Sequence, residues 1–187
     1  MVNQSDTTTI VTQPKVIEDH KPSFKRWLKH FFYMPESKRF FNKQDQYVIA
    51  QAVTDAEHGH VGEIQVVIEG HIPANQAYFQ NVHARAKQLF AELGVWDTEY
   101  NSGILLYINL CEKSVEIVID RGIKDATSQA DWNQICDGIV MHLRQQKYRE
   151  GVIDGIVKIG EILHQYYLDH EQDQNQQNEI SNKPIIL

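Results

Sequence analysis

The fold is decided by two apolar runs, Ile104-Leu105-Leu106-Tyr107-Ile108 and Val115-Glu116-Ile117-Val118-Ile119. Between them lies a polar segment, Cys111-Glu112-Lys113-Ser114. Short β-branched and aliphatic runs that flank a short polar segment are typical of a β-hairpin. The two runs are therefore predicted to pair as antiparallel strands, and the residues on either side of them are predicted to lie at one edge of a sheet.

This hairpin predicts a cluster of oxygen-bearing side chains. Folding the chain back near residues 111–113 brings Gly103 opposite Asp120. The side chains expected to gather at that edge are Asp97, Glu99, Asn101, Asp120 and Asp125. Carboxylates a few ångströms apart raise one another's pKa or bind a cation, and Ca²⁺ or Mg²⁺ prefers oxygen ligands. The residues predict either a metal or catalytic site, or solvated loop carboxylates with Asp120 paired to Arg121 or to a helix start.

Length and composition are those of one globular domain with polar ends. The chain has 187 residues, of which 42% are hydrophobic, an ordinary value for a soluble domain. No apolar run approaches the roughly 20 residues that span a bilayer, and residues 1–6 lack the order of a signal peptide. Cys111 and Cys136 lack neighbours at zinc-site spacing, so neither a disulfide framework nor a structural zinc site is supported. These features predict a cytoplasmic protein.

Charge is divided unevenly along the chain. Residues 1–43 hold eight Lys and Arg against four Asp and Glu, whereas residues 44–187 hold ten against twenty-one. Nucleic-acid binding requires a continuous basic face. The acidic body therefore argues against a nucleic-acid partner.

Residues 21–43 are predicted to form a basic amphipathic arm. Apolar and basic side chains share its first part at helical spacing, namely Phe24, Lys25, Arg26, Trp27, Leu28, Lys29, His30 and Phe31. Such a segment can bind an anionic membrane surface or an envelope protein partner, or it can pack its aromatics onto its own domain. The first two alternatives predict a peripheral location at the inner membrane face.

The remaining periodicity predicts alternating helices and strands. Helices are predicted over residues 45–57, 75–93, 128–144 and 151–168, and strands over residues 63–69, 103–109 and 115–120. Residues 1–20 and 169–187 are polar and are predicted to be a disordered leader and tail. Apolar helix faces on both sides of a small sheet give the predicted fold class. It is a three-layer α/β/α sandwich over residues 44–168, whose small mixed sheet contains the hairpin.

Four segments, in this order and spacing, resemble the TPM domain family, which includes thylakoid-lumen proteins linked to photosystem II repair and bacterial relatives. They are Glu57 with Gly62-Glu63-Ile64-Gln65-Val66, Phe90-Ala91-Glu92-Leu93-Gly94-Val95-Trp96-Asp97, Asn101-Ser102-Gly103-Ile104-Leu105-Leu106, and Val115-Glu116-Ile117-Val118-Ile119-Asp120-Arg121-Gly122-Ile123. The similarity covers residues 44–168. The Trp-Asp-Thr-Glu loop and the Asp-Arg-Gly-Ile exit are most similar to the short, soluble proteobacterial branch, whose members lack an export signal.

The resemblance implies a divalent-ion site at one sheet edge, phosphatase activity as in some relatives, and a link to membrane or envelope maintenance. Carried onto this sequence, the acidic edge falls on Asp97, Asp120 and Asp125, with Glu57 and Asp131 as supplements. Many exported relatives have a glycine-rich segment after the second hairpin strand. This chain instead has Asp120-Arg121-Gly122-Ile123-Lys124-Asp125.

Two functions follow as hypotheses. The favoured one is a non-enzymatic interaction module that binds a divalent cation and recognises an envelope partner or membrane. The alternative is a metal-assisted phosphatase of phosphomonoesters, in which an ion polarises a phosphoryl oxygen and Arg121 contacts the phosphate. The sequence has no P-loop and no hydrolase nucleophile motif. His58 and His60 flank Gly59 and are either transition-metal ligands or solvated loop histidines.

Overall fold

The computed structural model describes residues 8–12, 22–33, 37–124, 127–168 and 178–187. Within these ranges the strands are β1 (Thr8–Thr12), β2 (Glu63–Glu69), β3 (Gly103–Asn109), β4 (Ser114–Asp120) and β5 (Ile185–Ile186). The helices are α1 (Phe24–Phe31), α2 (Ser37–Phe40), α3 (Lys43–Glu57), α4 (Ala74–Ala77), α5 (Val82–Glu92), α6 (Arg121–Lys124), α7 (Gln129–Arg144) and α8 (Tyr148–Leu168).

The strands form one mixed sheet in the order β1-β4-β3-β2-β5. β3 and β4 pair antiparallel with Ile104 opposite Ile119, which confirms the predicted hairpin. β2 runs parallel to β3 with Glu63 opposite Gly103. A parallel pair requires a long connection, which α4 and α5 provide. β2 and β3 therefore begin at the edge of the sheet where β4 ends.

Helices cover both faces of the sheet, which confirms the three-layer α/β/α sandwich. One apolar core packs residues of α3, α7 and α8, among them Ile49, Trp132 and Ile156, against one face. A second core packs α5 against the other face through residues such as Phe90 and Leu105. Because side chains alternate between the faces of a strand, the apolar residues of β2, β3 and β4 contribute to both cores. Of the helices in the described ranges, none is long and apolar enough to cross a bilayer.

The predicted single helix over residues 75–93 is wrong, because the chain forms two helices there. α4 ends at Ala77, and α5 begins at Val82. Asn81 has an extended backbone, and its side chain accepts a hydrogen bond from the Ala84 amide at 2.8 Å. This is a helix N-cap, so Asn81 starts a new helix where apolar periodicity alone predicts a continuous one.

The structure differs from the prediction of disordered ends at residues 8–12 and 178–187. β1 pairs antiparallel with β4, from Thr8 opposite Asp120 to Thr12 opposite Glu116. β5 pairs parallel with β2. Both segments satisfy backbone groups that the edges of the sheet would otherwise leave unpaired. The rest of the predicted leader and tail, residues 1–7, 13–20 and 169–177, lies outside the described residues.

Candidate functional site

The predicted acidic edge lies where β2 and β3 begin and β4 ends. Its centre is Asn101-Ser102-Gly103, the last residues before and the first residue of β3. Asn101 has a positive φ of 53°. Its side-chain oxygen accepts a hydrogen bond from Arg121 Nε at 3.0 Å, and its carbonyl accepts one from the Gly122 amide at 3.0 Å. Asn101 thus binds the loop before β3 to the segment after β4.

The next two residues of this motif are fixed by close packing. The Ser102 hydroxyl is buried and donates to the Val61 carbonyl at 2.6 Å. A Cβ atom on Gly103 would lie 1.8 Å from the Val95 carbonyl oxygen, far inside van der Waals contact. Only glycine allows this approach of two backbones. The Asn-x-Gly motif therefore has a structural role, and its amide oxygen is engaged by an arginine.

Asp120 is the predicted site residue with an unused ligand atom. Its Oδ1 accepts a hydrogen bond from the Arg121 amide at 2.6 Å. Its Oδ2 is buried and has no hydrogen-bond partner among the described residues, and the residue is 2% exposed. Burial raises the pKa of this carboxyl, although the Arg121 amide and charge oppose the shift. Asp120 is thus a carboxyl group whose inner oxygen could accept a hydrogen bond or bind a cation.

Asp97 and Glu99, two of the other predicted ligands, do not form a metal-binding group with Asp120. Asp97 and Glu99 are exposed, and the amide of Glu99 donates to the Glu179 carboxylate at 3.2 Å. Asp125 lies outside the described residues. In the part of the chain that is described, no group of three or more His, Cys, Asp or Glu is placed to hold a metal ion. The edge therefore brings together Asn101, Asp120 and Arg121, and the complete predicted ligand set stays a prediction.

The supplementary carboxylates have other partners. Glu57 Oε1 accepts a hydrogen bond from the Ile64 amide at 2.7 Å. Burial raises its pKa to about 8, and the neighbouring charge of Glu63 adds to the shift. Asp131 lies in the first turn of α7, where its carboxylate accepts from the Ser128 hydroxyl at 2.7 Å. Asp131 therefore completes the N-terminal cap of α7.

The two histidines around Gly59 differ from each other. His58 ends α3 and is exposed. His60 is half-buried and stacks on Tyr167, and its Nδ1 accepts a hydrogen bond from the Gly62 amide at 3.1 Å. Burial lowers the pKa of His60. The interpretation of both as solvated loop residues is therefore wrong for His60, which packs against α8.

A second candidate site is α1, the first part of the predicted basic arm. Arg26 of this helix donates from Nε to the Ala77 carbonyl at 2.7 Å and from a terminal nitrogen to the Tyr78 carbonyl at 3.1 Å. His30 is fully buried, and its Nδ1 accepts a hydrogen bond from the Ile72 amide at 3.1 Å. These contacts fasten the polar side of α1 to the domain.

The aromatic side of α1 faces away from the domain. Phe24, Phe31 and Phe32 are 64%, 56% and 70% exposed, and Leu28 is also exposed. Trp27 stacks on Phe24 and on Phe31, with ring centroids 5.1 Å apart in each pair. We call the exposed residues Phe24, Leu28, Phe31 and Phe32 the aromatic surface. Self-packing of the arm's aromatics, one of the three alternatives for this segment, is therefore wrong for Phe24, Phe31 and Phe32. It is confirmed for Phe40 and Phe41, which pack with the core residues of α3, α7 and α8.

A buried polar network supports the region beneath α1. Arg85 of α5 forms an ion pair with Glu69 at 2.8 Å, and the Tyr107 hydroxyl donates to the same carboxylate at 2.5 Å. Asn109 donates to the Tyr107 hydroxyl at 3.0 Å. Sequence reasoning missed this network. The only signal for it was a glutamate and an asparagine that end two otherwise apolar strands.

A groove of about 580 Å³ lies between α3 and α8. Its walls are largely apolar and include Tyr47, Val48, Ile153 and Val157. None of the predicted Ca²⁺ or Mg²⁺ ligands lines it, although His58 does. The groove is therefore separate from the acidic edge and from the aromatic surface.

The fold and the edge define a class of protein, namely α/β/α sandwich domains whose mixed sheet contains a β-hairpin. The profile of the TPM domain matches residues 36–162, more than half of the chain. The chain therefore belongs to the TPM domain family, as the sequence resemblance predicted. No curated protein matches it.

A solved structure has the same fold. The NMR structure of the BA42 protein from the psychrophilic bacterium Bizionia argentinensis superimposes with a TM-score of 0.68 and is 27% identical in sequence. The match covers 79% of this chain and 96% of BA42. The similarity thus extends over nearly the whole of that protein and most of this one.

Proposed function

We propose that this TPM domain protein is a non-enzymatic interaction module that binds an anionic membrane surface through the aromatic surface of α1. The observation that carries the proposal is the orientation of this helix. Polar anchors, Arg26 and His30, hold α1 against the domain, and its phenylalanines are exposed to solvent. An amphipathic helix in a globular domain ordinarily has the reverse orientation.

The chemistry of the aromatic surface suits a lipid interface. Large aromatic side chains insert at the boundary between headgroups and acyl chains, and neighbouring lysines bind anionic headgroups. Lys25 lies beside the phenylalanines and is exposed, and Lys29 is exposed as well, although its ammonium group already pairs with Glu112. Phe79, which follows the α4 turn that Arg26 binds, is 63% exposed as well. Exposed apolar side chains that cluster in this way mark interaction surfaces more often than scattered ones do.

Charge favours one orientation on such a membrane. The basic residues are concentrated in residues 1–43, and the body beyond them carries an excess of acidic residues. An anionic surface therefore attracts the arm and repels the body, within a Debye length of about 10 Å at 0.1 M salt. This arrangement supports contact through α1 and a body that faces the aqueous phase. It also fits a role in membrane or envelope maintenance.

Sedimentation with lipid vesicles tests the proposal. The wild-type chain is expected to sediment with phosphatidylglycerol-containing vesicles at low salt and less with phosphatidylcholine alone. Replacing Phe31 and Phe32 by Ser should lower the partition coefficient by at least about tenfold, because burying one Phe contributes about 1.5–3 kcal/mol. The matched control is Tyr47→Ser, at an aromatic of similar exposure on α3, which should bind like the wild type.

Two results would overturn membrane binding. One is wild-type protein that stays in the supernatant with anionic vesicles at low salt. The other is equal binding by the wild type and the double variant. A third result would assign the aromatic surface to a protein partner. In that case the wild type does not bind vesicles but captures an envelope protein, and the Phe31/Phe32 variant does not capture it.

A second candidate function, divalent-cation binding with phosphatase activity, rests on the buried and unpaired Oδ2 of Asp120. We propose this oxygen as one ligand of a Ca²⁺ or Mg²⁺ ion, which when bound would polarise a phosphoryl oxygen. Arg121 follows directly and is exposed, although its Nε is engaged by Asn101. Of the predicted ligands within the described residues, Asp120 is the one buried carboxylate, and these residues do not form a complete ligand set. They therefore do not account for a catalytic step.

A further inference from the structure

Residues 178–187 lie along the outer edge of β2. Val67 and Ile68 pair in parallel with Ile185 and Ile186. The Leu187 amide donates to the Ile68 carbonyl at 2.9 Å, and the Gly70 amide donates to the Leu187 carbonyl at 3.0 Å. The segment thus adds a short strand to an edge that would otherwise be open.

Side chains of the domain also bind the backbone of this segment. The Glu63 carboxylate accepts hydrogen bonds from the amides of Glu179 and Ile180 at 3.2 and 3.3 Å. Asn182 donates to the Thr54 hydroxyl at 2.8 Å. The two Glu63 contacts join a side chain to main-chain amides, whereas the Asn182 contact joins two side chains. Main-chain hydrogen bonds of this kind give sheet edges affinity for peptides.

The apolar residues of the segment occupy both sides of the edge. Ile180 and Ile185 pack against the core beneath α5, and Ile186 packs against the core beneath α3, α7 and α8. Pro184 is buried. Near the start of β2, the Glu57 side chain accepts a hydrogen bond from the Ile64 amide, so this amide is not available to a paired strand. The edge therefore has a defined length, with polar contacts at one end and apolar contacts at the other.

The segment is joined to α8 by a stretch with no aliphatic or aromatic residue. Residues 169–177 read Asp-His-Glu-Gln-Asp-Gln-Asn-Gln-Gln. The contacts with β2 and with Glu63 are made by residues 178–187 themselves. A short connection of this kind holds a bound segment at an effective concentration in the millimolar range. A peptide added in solution must compete with that concentration.

We propose that the edge of β2 between Glu63 and Gly70 is a docking site for an extended peptide, and that residues 178–187 occupy it in cis. The partner that fits the site is a linear segment with the chemistry of residues 178–187. Such a segment offers two main-chain amides to Glu63, as Glu179 and Ile180 do. It has an aliphatic residue at the position of Ile180, and two adjacent β-branched residues after a proline, as in Pro184-Ile185-Ile186. Such a partner displaces the cis segment and adds a strand to the sheet.

The site can favour a partner over the cis segment through the charge at the position of Glu179. Glu63 is buried by the segment, and burial together with the charge of Glu179 raises its pKa. The cis segment thus places a carboxylate near another carboxylate. A partner without an acid at the position of Glu179 avoids this repulsion.

Hydrogen exchange of the intact wild-type chain is the first test. If the segment is displaceable, the amides of Leu187 and Gly70 exchange through local opening, about 100-fold or more faster than those of β3. Their opening should also be insensitive to low concentrations of denaturant. Exchange of these two amides only through global unfolding would overturn the proposal, because the segment would then be an inseparable part of the fold.

Peptide titration of the full-length chain is the second test. The probe is a fluorescein-labelled peptide with the sequence of residues 178–187. Full-length Ile185→Asp, whose own segment is weakened, should bind it about tenfold or more tightly than the wild type, since the cis competitor is removed. The control chain is Val157→Asp, an exposed aliphatic of α8, which should behave as the wild type. A peptide with Asp at the positions of Ile185 and Ile186 should not bind.

Three other results would overturn the proposed docking of a peptide at the edge of β2. Equal binding by the wild type and Ile185→Asp overturns the proposal. Unfolding of the whole domain by Ile185→Asp overturns it as well, because a displaceable segment leaves the fold intact. An Ile185→Asp chain that dimerises and ignores the peptide assigns the edge to a second copy and overturns docking of a linear partner.

Discussion

The Nε2 atom of His30 lies 3.1 Å from Oε1 of Glu112, and this contact ties α1 to the turn between β3 and β4. Burial acts to raise the pKa of the Glu112 carboxyl, but hydrogen bonds from His30 and Lys29 outweigh it and lower the pKa to about 2. The other ring nitrogen of His30 accepts a hydrogen bond from the Ile72 amide. One imidazole thus joins two parts of the domain to α1 and fixes the direction of the aromatic surface.

His30→Ala should therefore destabilise the domain. It leaves the Ile72 amide without its acceptor and Glu112 without a buried partner, and a buried group left unpaired costs about 1–3 kcal/mol. Urea unfolding followed by circular dichroism measures the change. The control is His58→Ala, at an exposed histidine, where the unfolding midpoint should not move. Equal midpoints for the two variants would contradict the role of His30.

Acid should release α1 through Glu112. A carboxyl whose pKa is lower in the folded state adds stability above its unfolded value of 4.5, and this stability is lost as the pH falls towards about 2. Fluorescence of Trp27, the tryptophan of α1, should therefore change between these pH values before the domain unfolds. In Glu112→Gln, with Trp96 and Trp132 replaced by Phe in both chains, that acid transition should be absent. A transition identical in both chains would assign the signal to another group.

Replacement of two glycines by alanine should change the stability of the domain in opposite directions. A methyl group on Gly103 meets the Val95 carbonyl oxygen, which cannot move without shifting the backbone. Gly103→Ala should destabilise by about 3 kcal/mol or more, since overpacking costs about 1–3 kcal/mol where neighbours are flexible. A Cβ atom added to Gly138 of α7 would have room, because its nearest neighbouring atom, the Lys158 ammonium nitrogen, would lie 3.6 Å from it.

Gly138→Ala should raise stability by about 0.5–1 kcal/mol, because alanine in a helix interior retains less freedom in the unfolded chain. Differential scanning calorimetry of both variants gives the comparison. A Gly103→Ala chain as stable as the wild type would show that the loop before β3 can move away. The Asn-x-Gly motif would then lack the structural role assigned to it.

The sequence predicts the centre of this fold well because its signals there are local. The hairpin and the three-layer architecture follow from strand runs and helical faces that each lie within one element. The division of α4 from α5 does not follow in this way. It depends on the cap formed by Asn81 and on the carbonyls of Ala77 and Tyr78, which are bound by Arg26 from a distant part of the chain.

The ends of the sheet and the site show the same limit. β1 and β5 gain their stability from pairing with strands far along the chain, which composition does not reveal, although Thr8-Thr9-Ile10-Val11-Thr12 carries β-branched residues. Sequence places Asp120 at the correct edge because register follows from the hairpin. It does not predict the directions of Asp97 and Glu99, since these depend on the turn between Gly94 and Asn101, both of which have positive φ.

Stability should fall as the pH rises from 4.5 to about 8 because of Glu57. Its pKa in the folded chain is about 8, against an ordinary value of 4.5. Between these values the folded state binds a proton that the unfolded state has lost, so increasing pH favours unfolding. Thermal melts of Glu57→Gln, which keeps an acceptor for the Ile64 amide, should show a weaker fall over this interval. Glu161→Gln, at an exposed glutamate of α8, should follow the wild type, and an equal slope for Glu57→Gln would refute the assignment.

Asp120 gives the sharpest test of the proposed cation site. If its unpaired oxygen binds Ca²⁺ or Mg²⁺, the ion should stabilise the native state by about 2.7 kcal/mol at one hundred times its dissociation constant. The melting temperature of the wild type should rise with added ion, and Asp120→Asn should abolish the rise. Asp137→Asn, an exposed carboxylate of α7, should retain it.

The same variant separates binding from a purely structural role. Without added ion, Asp120→Asn should leave stability unchanged or raise it, because it removes a buried charge and keeps an oxygen that can accept the hydrogen bond from the Arg121 amide. A cation site thus predicts opposite effects of one substitution with and without the ion. If saturating Ca²⁺ and Mg²⁺ change neither the wild-type melting temperature nor the amide shifts of residues 97–103 and 120–123, the acidic edge does not bind these ions. The metal-assisted phosphatase is then excluded with it, whereas membrane binding through α1 is unaffected.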